Sequence, residues 1–382
     1  MNSLATSEVR SGPSAAPALD PASWVRPELR QLSAYTLDRS PCRFKLDQNE
    51  MPFDLPQPVK QRILAPLAER SWGTYPGFNS DHLRGVISRH QGWPADGVLL
   101  GNGSGELLAL TLEAILRPGE EVVGTAPSFS LYKLLILRCA GEPRFLAPRP
   151  DLNLPLAELE AEIERDPTRP LILCSPNNPT GEAVTPEALE RLLERIQAPL
   201  LLDNAYHEFC EYDYTPLLSR YRQLMIFRTL SKAWTMAAWR LGYLLADPAL
   251  VTELIKVKLP YNLNFASALA AEVALAAPHA VDRRVRTVIG RRPQWTQMFR
   301  QQGFEVFPSQ TNFLLVRHPQ AAFLNRGLAA RGIRMRDVSG YPGLANCFRV
   351  SVGSGAALRA TREALAELQS EAERPQAGGE AS

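Results

Sequence analysis

The sequence predicts an α/β fold: a large domain whose mostly parallel central sheet is sandwiched by helices, joined to a smaller α/β domain. Three observations predict it. Short apolar runs alternate with helical stretches through the middle of the chain. Those runs are nearly continuous, as strands covered on both faces require. From about Pro278 the composition turns arginine-rich, and a second set of strands follows.

Residues 1–22, rich in Ser, Ala and Pro without an apolar stretch, read as a disordered tail and not as a signal peptide. An N-terminal arm is expected over 23–48 and the large domain over 49–270. Residues 105–116 have the apolar density of a packed helix, with Ser104 expected as its cap and Pro118-Gly119 as its stop, before a short strand at 121–124. A strand at 170–174 ends in a turn cluster. An amphipathic helix over 186–197 starts after Thr185, and strands follow at 199–203, 224–228 and 241–246. The smaller domain, 271–370, opens with an arginine-rich helix over 282–302 and continues with strands at 303–307 and 312–316, a helix at 321–331 and a strand at 347–352. In that last strand Phe348, Val350 and Val352 share one face, which puts Arg349 and Ser351 on the other. Residues 371–382 read as a second disordered tail, and no internal repeat is visible.

Composition excludes several classes of function. A net charge of +2 over 382 residues gives no argument for nucleic acid, and no apolar run is long enough to span a bilayer. Five scattered cysteines without a C-x-x-C pair favour a reducing cytoplasm over a disulfide framework. The five histidines form no H-x-x-x-H pair, so no metal site is expected.

Ligands of such sheets gather beyond the carboxyl ends of the strands, which directs attention to 175–181, 203–206 and 229–232. Lysine is scarce: Lys45, Lys60, Lys133, Lys232, Lys256 and Lys258 are set against 42 lysines and arginines together. Lys232 sits in Arg228-Thr229-Leu230-Ser231-Lys232-Ala233-Trp234, where arginine would have served for charge alone. An amine can lose its proton and attack a carbonyl, which a guanidinium effectively cannot; by itself the segment is equally compatible with a solvated lysine on a helix. Gly101-Asn102-Gly103-Ser104-Gly105-Glu106 precedes a helix, so its amides could hold a phosphate or form a plain turn. Ser175-Pro176-Asn177-Asn178-Pro179-Thr180-Gly181 and Asp203-Asn204-Ala205-Tyr206 could each be ordinary strand ends. Together they assemble a phosphate cradle, an amide, a carboxylate, a phenol and an amine, with Arg240 eight residues past Lys232.

The order and spacing of these segments resemble fold-type I pyridoxal-phosphate aminotransferases, and within them the histidinol-phosphate aminotransferases. The resemblance runs from about Leu32 to Ala366 through Leu46-Asp47-Gln48-Asn49-Glu50-Met51-Pro52, Thr74-Tyr75-Pro76-Gly77, GNGSGELL at 101–108, SPNNPTG at 175–181, RTLSKAW at 228–234, Asn312, Arg336-Asp337 and FRVSVG at 348–353. It implies that Lys232 forms a Schiff base with pyridoxal 5'-phosphate and moves the substrate Cα proton, while Asp203 pairs with the pyridine nitrogen. Tyr206 and Asn178 would bond the ring's phenolic oxygen, and Phe129 would stack on the ring. Ser104, Gly105, Thr229, Ser231 and Arg240 would hold the phosphate. Tyr75 would reach that phosphate from a second subunit, which implies a homodimer with shared active sites. Arg349, Arg336, Asn178, Tyr75 and Tyr35 would recognise substrate.

The reaction implied is ping-pong transfer of an amino group between L-histidinol phosphate and 2-oxoglutarate, in histidine biosynthesis. The partners implied are thus a small-molecule amino donor and a 2-oxo acid. Departures from the family pattern are Asn204 for an acidic residue, Gly105 for an aspartate, Phe129 for a tyrosine and Ala238-Trp239 for glycine-leucine. They leave open an aromatic amino acid aminotransferase, a threonine-phosphate-type decarboxylase on the same scaffold, and a cofactor-binding regulator without catalysis.

Overall fold

A computed structural model describes residues 20–32, 34 and 40–373. The chain divides into a short N-terminal unit, up to residue 38, and a large one. In the first, a 3-10 turn at Pro21–Trp24 is capped by Asp20, whose carboxylate accepts from the Ala22 amide at 3.0 Å, and a single helical turn follows at Pro27–Arg30.

The large unit is built on a seven-stranded sheet of β2 (Val98–Gly101), β3 (Glu121–Thr125), β4 (Glu142–Leu146), β5 (Leu171–Cys174), β6 (Leu200–Asp203), β7 (Leu224–Thr229) and β8 (Gly242–Leu245), in the order β2-β8-β7-β6-β5-β3-β4. All neighbours run parallel except β8, which is antiparallel to both β2 and β7. Alternate side chains divide between two cores. Leu171, Leu173, Leu200 and Leu202 enter one, while Ile172, Cys174, Leu201 and Phe227 enter the other. Each large side chain buried in this way contributes about 1.5–3 kcal/mol. Burial on both faces explains the unbroken apolar runs.

β1 (Phe44–Lys45) pairs in parallel with β11 (Ile333–Arg334). A four-stranded antiparallel sheet has the order β12-β13-β10-β9, from β9 (Glu305–Val306), β10 (Phe313–Arg317), β12 (Arg336–Asp337) and β13 (Cys347–Ser351). The arginine-rich helix begins earlier than expected, running Pro278–Gln301. The helix Gly355–Glu373 extends through residue 373, inside the stretch read as a tail, and residue 271 lies within the helix Phe265–Leu275.

Two cap expectations came out differently. Thr185 does cap the helix Pro186–Leu193, accepting from the Ala188 amide at 3.2 Å. Ser104, by contrast, is the first residue of the helix Ser104–Ile115. The cap position is Gly103, whose φ of 81° suits a residue without Cβ. A Cβ there would stand 2.7 Å from an Arg240 nitrogen.

Candidate active site

The site lies beyond the carboxyl ends of β5, β6 and β7. Asp203 ends β6 and is buried, with Cys174 and Phe227 as its partners in register on either side. Its Oδ2 accepts from the Tyr132 hydroxyl at 2.7 Å and its Oδ1 from the Ala205 amide at 3.2 Å. Burial pushes its pKa up, against the lowering effect of Tyr132, the Ala205 amide and Lys232. A buried carboxylate with that bias is stabilised by a cation brought to it.

Lys232 follows β7. Its Nζ donates to the Gln48 carbonyl at 3.0 Å and lies 5.9 Å from the centre of the Tyr206 ring. Its pKa is drawn down to about 8, first by burial and then by the Arg349 and Arg240 cations; Glu50 and Asp203 oppose them. An amine so shifted is still mostly protonated at pH 7, but far more of it is neutral than at the usual 10.5, which favours a nucleophile and proton carrier. Tyr206 is buried, packs edge-on to Phe313 at 5.2 Å and accepts a 2.8 Å hydrogen bond from Asn49 Nδ2.

The loops around this centre are knit by Asn177. It donates to the Pro127 carbonyl and Thr180 Oγ1, both at 2.9 Å, and accepts from Ser128 Oγ at 2.8 Å, tying the SPNNPTG loop to the turn that carries Phe129. Phe129 stands edge-on to Tyr132 at 5.7 Å. Arg349 reaches back from the antiparallel sheet, donating to Asn178 Oδ1 at 2.5 Å and to the Asp47 carbonyl at 2.6 Å. Arg336 is directly opposite it in the β12–β13 register, so the two arginines share one face. Like charges directly opposite across strands destabilise a sheet, and an anion between them would offset that repulsion.

At the other end, the start of the helix Ser104–Ile115 meets Arg240, itself at a left-handed φ of 55°. Arg240 Nη1 donates to Ser231 Oγ at 3.4 Å and to the Ala237 carbonyl at 3.2 Å. Gly242 is required here, since a Cβ would lie 2.3 Å from the Ser104 nitrogen. The Thr229 hydroxyl is turned to the backbone, donating to the Leu241 carbonyl at 3.2 Å and accepting from the Ser231 amide at 3.1 Å, so it shapes the turn. Gly105 lies in the helix, where a Cβ would come within 3.3 Å of Leu131.

The structure therefore brings Lys232, Asp203, Tyr206, Asn178 and Arg349 into one centre, with Arg240 near enough to bias the lysine. Tyr75 stands apart, 81% exposed and stacked on Tyr261 at 4.6 Å. Tyr35 lies outside the described residues. The donor set fits pyridoxal 5'-phosphate: Asp203 for a ring cation, an amine for an aldehyde, and a helix start with an arginine, closed in by two glycines, for a phosphate.

Sequence reasoning did not single out Tyr132 or Asn49. Tyr132 comes three residues after Phe129, a spacing that placed it beside Asp203 only once the chain was folded. Asn49, at a φ of 55°, takes its amide proton to Ser351 Oγ at 3.0 Å, while its carbonyl accepts from Asn312 at 2.9 Å. The departures also acquire a physical reading. Asn204 Oδ1 accepts from Arg228 Nε at 3.0 Å, and the arginine's charge is met instead by Asp213 at 3.1 Å. Trp239 is half-buried against the core, its carbonyl accepting from Ser267 Oγ at 2.6 Å.

Residues 43–367 match the model of the family described as aminotransferase class I and II. This chain belongs to that family. A curated relative from Chlorobium phaeovibrioides, named histidinol-phosphate aminotransferase, is 34% identical over 86% of this chain and 92% of its own. The crystal structure of histidinol-phosphate aminotransferase from Sinorhizobium meliloti in complex with pyridoxal-5'-phosphate superposes with a TM-score of 0.82 at 22% identity, over 92% of this chain and 98% of that one. That of L-threonine-O-3-phosphate decarboxylase from Porphyromonas gingivalis does so at 0.75 and 21%, over 86% and 99%. At such identities the superpositions establish the fold, which transaminase and decarboxylase share. The expected α/β architecture and aminotransferase membership are both borne out.

Proposed function

We propose that this aminotransferase moves an amino group between L-histidinol phosphate and 2-oxoglutarate, giving imidazole acetol phosphate and glutamate, as a step of histidine biosynthesis. The observation that carries the reading is the Arg336–Arg349 pair opposite each other on adjacent strands, with Arg349 close enough to Lys232 to lower its pKa. Histidinol phosphate has no carboxylate, whereas its co-substrate has two. A pair of arginines that accepts a phosphate in one half-reaction and a carboxylate in the other serves both. The name carried by relatives more than 30% identical over most of the chain supports the same substrate.

Pyridoxal 5'-phosphate, when bound, supplies an electron sink for negative charge developing at the substrate Cα. Lys232 would anchor it and, when freed, would carry the proton removed from that carbon. Asp203, held by Tyr132, would keep the ring nitrogen protonated through a charge-assisted bond worth roughly 1.5–3 kcal/mol. Tyr206 and Asn178 would orient the ring oxygen, and Phe129 would cover a ring face. The amides of Ser104 and Gly105, with Ser231 and Arg240, would hold the phosphate, while Thr229 holds the turn.

The enzyme acts as a homodimer. Trp72, Tyr75, Phe78, Leu259 and Tyr261 are exposed apolar side chains, 42–81% accessible, close together in the sequence or in ring contact, and a second copy would cover them. Tyr75 is then the residue offered to the neighbouring site. A cytoplasmic setting agrees with five cysteines that form no disulfide, and no helix among the described residues is long and apolar enough to cross a membrane.

The test is a single half-reaction without a 2-oxo acid, quantifying keto product from histidinol phosphate and, separately, from phenylalanine. Stoichiometric imidazole acetol phosphate with little phenylpyruvate supports the proposal. The reverse preference makes the enzyme an aromatic aminotransferase, and carbon dioxide from threonine phosphate without keto product makes it a decarboxylase.

A further inference from the structure

Lys258, unlike Lys232, has all its donor positions occupied by protein acceptors. It is 6% exposed, and its three donors are taken: Asn262 Oδ1 at 3.0 Å, the Leu259 carbonyl at 3.2 Å and the Phe78 carbonyl at 3.5 Å. Its Nζ also lies 4.9 Å from the centre of the Phe78 ring. Asn262 spends its own donor on Glu106 Oε2 at 3.1 Å and the Leu100 carbonyl at 3.2 Å, while its carbonyl accepts from Asn102 Nδ2 at 2.7 Å. Glu106 Oε2 in turn accepts from the Asn102 amide. The chain of contacts thus runs from Phe78 to the loop 101–105, and Phe78 packs edge-on to Tyr261 at 5.9 Å, the ring on which Tyr75 stacks.

The arrangement has a physical rationale. A carboxylate in the first helical turn suits the helix dipole, and by taking the Asn102 amide it fixes the loop so that the following amides can face an anion. The same carboxylate would repel a bound phosphate. Burial lowers the Lys258 pKa and the Glu106 carboxylate partly opposes that; joined to Glu106 through the Asn262 side chain, Lys258 is the cation that offsets this charge.

We propose that Glu106, Asn262 and Lys258 are positioning residues for the cofactor phosphate, connecting the loop 101–105 to the segment that carries Tyr75. The proposal rests on the reading that this loop and Arg240 hold that phosphate.

Binding of pyridoxal 5'-phosphate to the cofactor-free protein, compared with binding of pyridoxal, which has the same aldehyde and ring but no phosphate, isolates the effect. Asn262→Ala should weaken pyridoxal 5'-phosphate about tenfold, the scale of lost hydrogen bonds to a charged group, and leave pyridoxal unchanged. Lys258→Met should act in the same direction. Arg240→Gln is the control for the underlying reading. If it lowers the preference for the phosphorylated ligand while Asn262→Ala and Lys258→Met do not, the relay is wrong and the phosphate site stands. If none of the three changes the preference, the loop is not the phosphate site and both readings fall. A parallel loss for both ligands in Asn262→Ala and Lys258→Met would mean a general folding role and would also overturn the proposal.

Discussion

The two sides of the site are built on different principles. On the large-sheet side Asp203, Tyr206 and Lys232 are carried at or just past the ends of parallel strands, and each is held by a partner from a different element: Tyr132, Asn49 and the Gln48 carbonyl. On the small-sheet side Arg336 and Arg349 stand opposite each other on adjacent antiparallel strands, a like-charged pair. The first side has its charges answered inside the protein. The second gathers positive charge on one face, where an anion would be favoured. In the proposed reaction the chemistry falls to the first side and anion recognition to the second.

The largest expected effect tests the large-sheet side. Lys232→Ala should lower turnover by about 10²–10⁴-fold from lost proton transfer alone and remove the visible absorbance of lysine-bound cofactor; normal transamination by this variant would sink the assignment. Arg336→Ala probes the other side. It should weaken histidinol phosphate by about 10–100-fold, the range for a charge-assisted contact, and phenylalanine far less. Equal losses for both would make the arginine structural and dissolve the contrast. A smaller effect, about tenfold in turnover with little change in KM for histidinol phosphate, is expected for Tyr132→Phe, which removes one donor from Asp203 and leaves the substrate side intact.

The smallest effect is a pH profile. With the Lys232 pKa near 8 and not at its usual 10.5, capture of pyridoxal 5'-phosphate by the cofactor-free protein should accelerate as pH rises toward 8 and level off above it. The same depression means that the folded state is penalised for the charged amine, so this group's contribution to stability increases with pH from about 8 toward 10.5. A midpoint still rising beyond pH 9.5, or a profile unmoved in Arg349→Gln, would show that burial and the arginines do not set it.

Much of the large-sheet side was legible because it is local. Asp203 and Lys232 come at strand ends marked by unbroken apolar runs, and the polar residues that follow such strands are where an α/β sheet places its ligands. The cap of the helix Ser104–Ile115 was misplaced by one residue because a serine is the common cap, whereas here a glycine's positive φ makes the turn. The antiparallel β8 was not legible at all, since strand direction depends on which neighbour a strand meets.

By itself the sequence determined the fold class and the strand ends and marked Lys232 as the candidate amine, because periodicity, turn residues and the choice of lysine over arginine act over a few residues. Tertiary structure alone decided the partners. Asn49 meets Tyr206 from 157 residues away and Arg349 meets Asp47 from 302; Tyr132 turns from a helix to Asp203 on the central strand, and Lys258 is joined to the loop 101–105 through Asn262. Such bonds form only after burial has brought distant segments within hydrogen-bonding range. The shifts of Lys232 and Asp203 likewise arise first from burial in the folded chain and then from the groups it brings beside them.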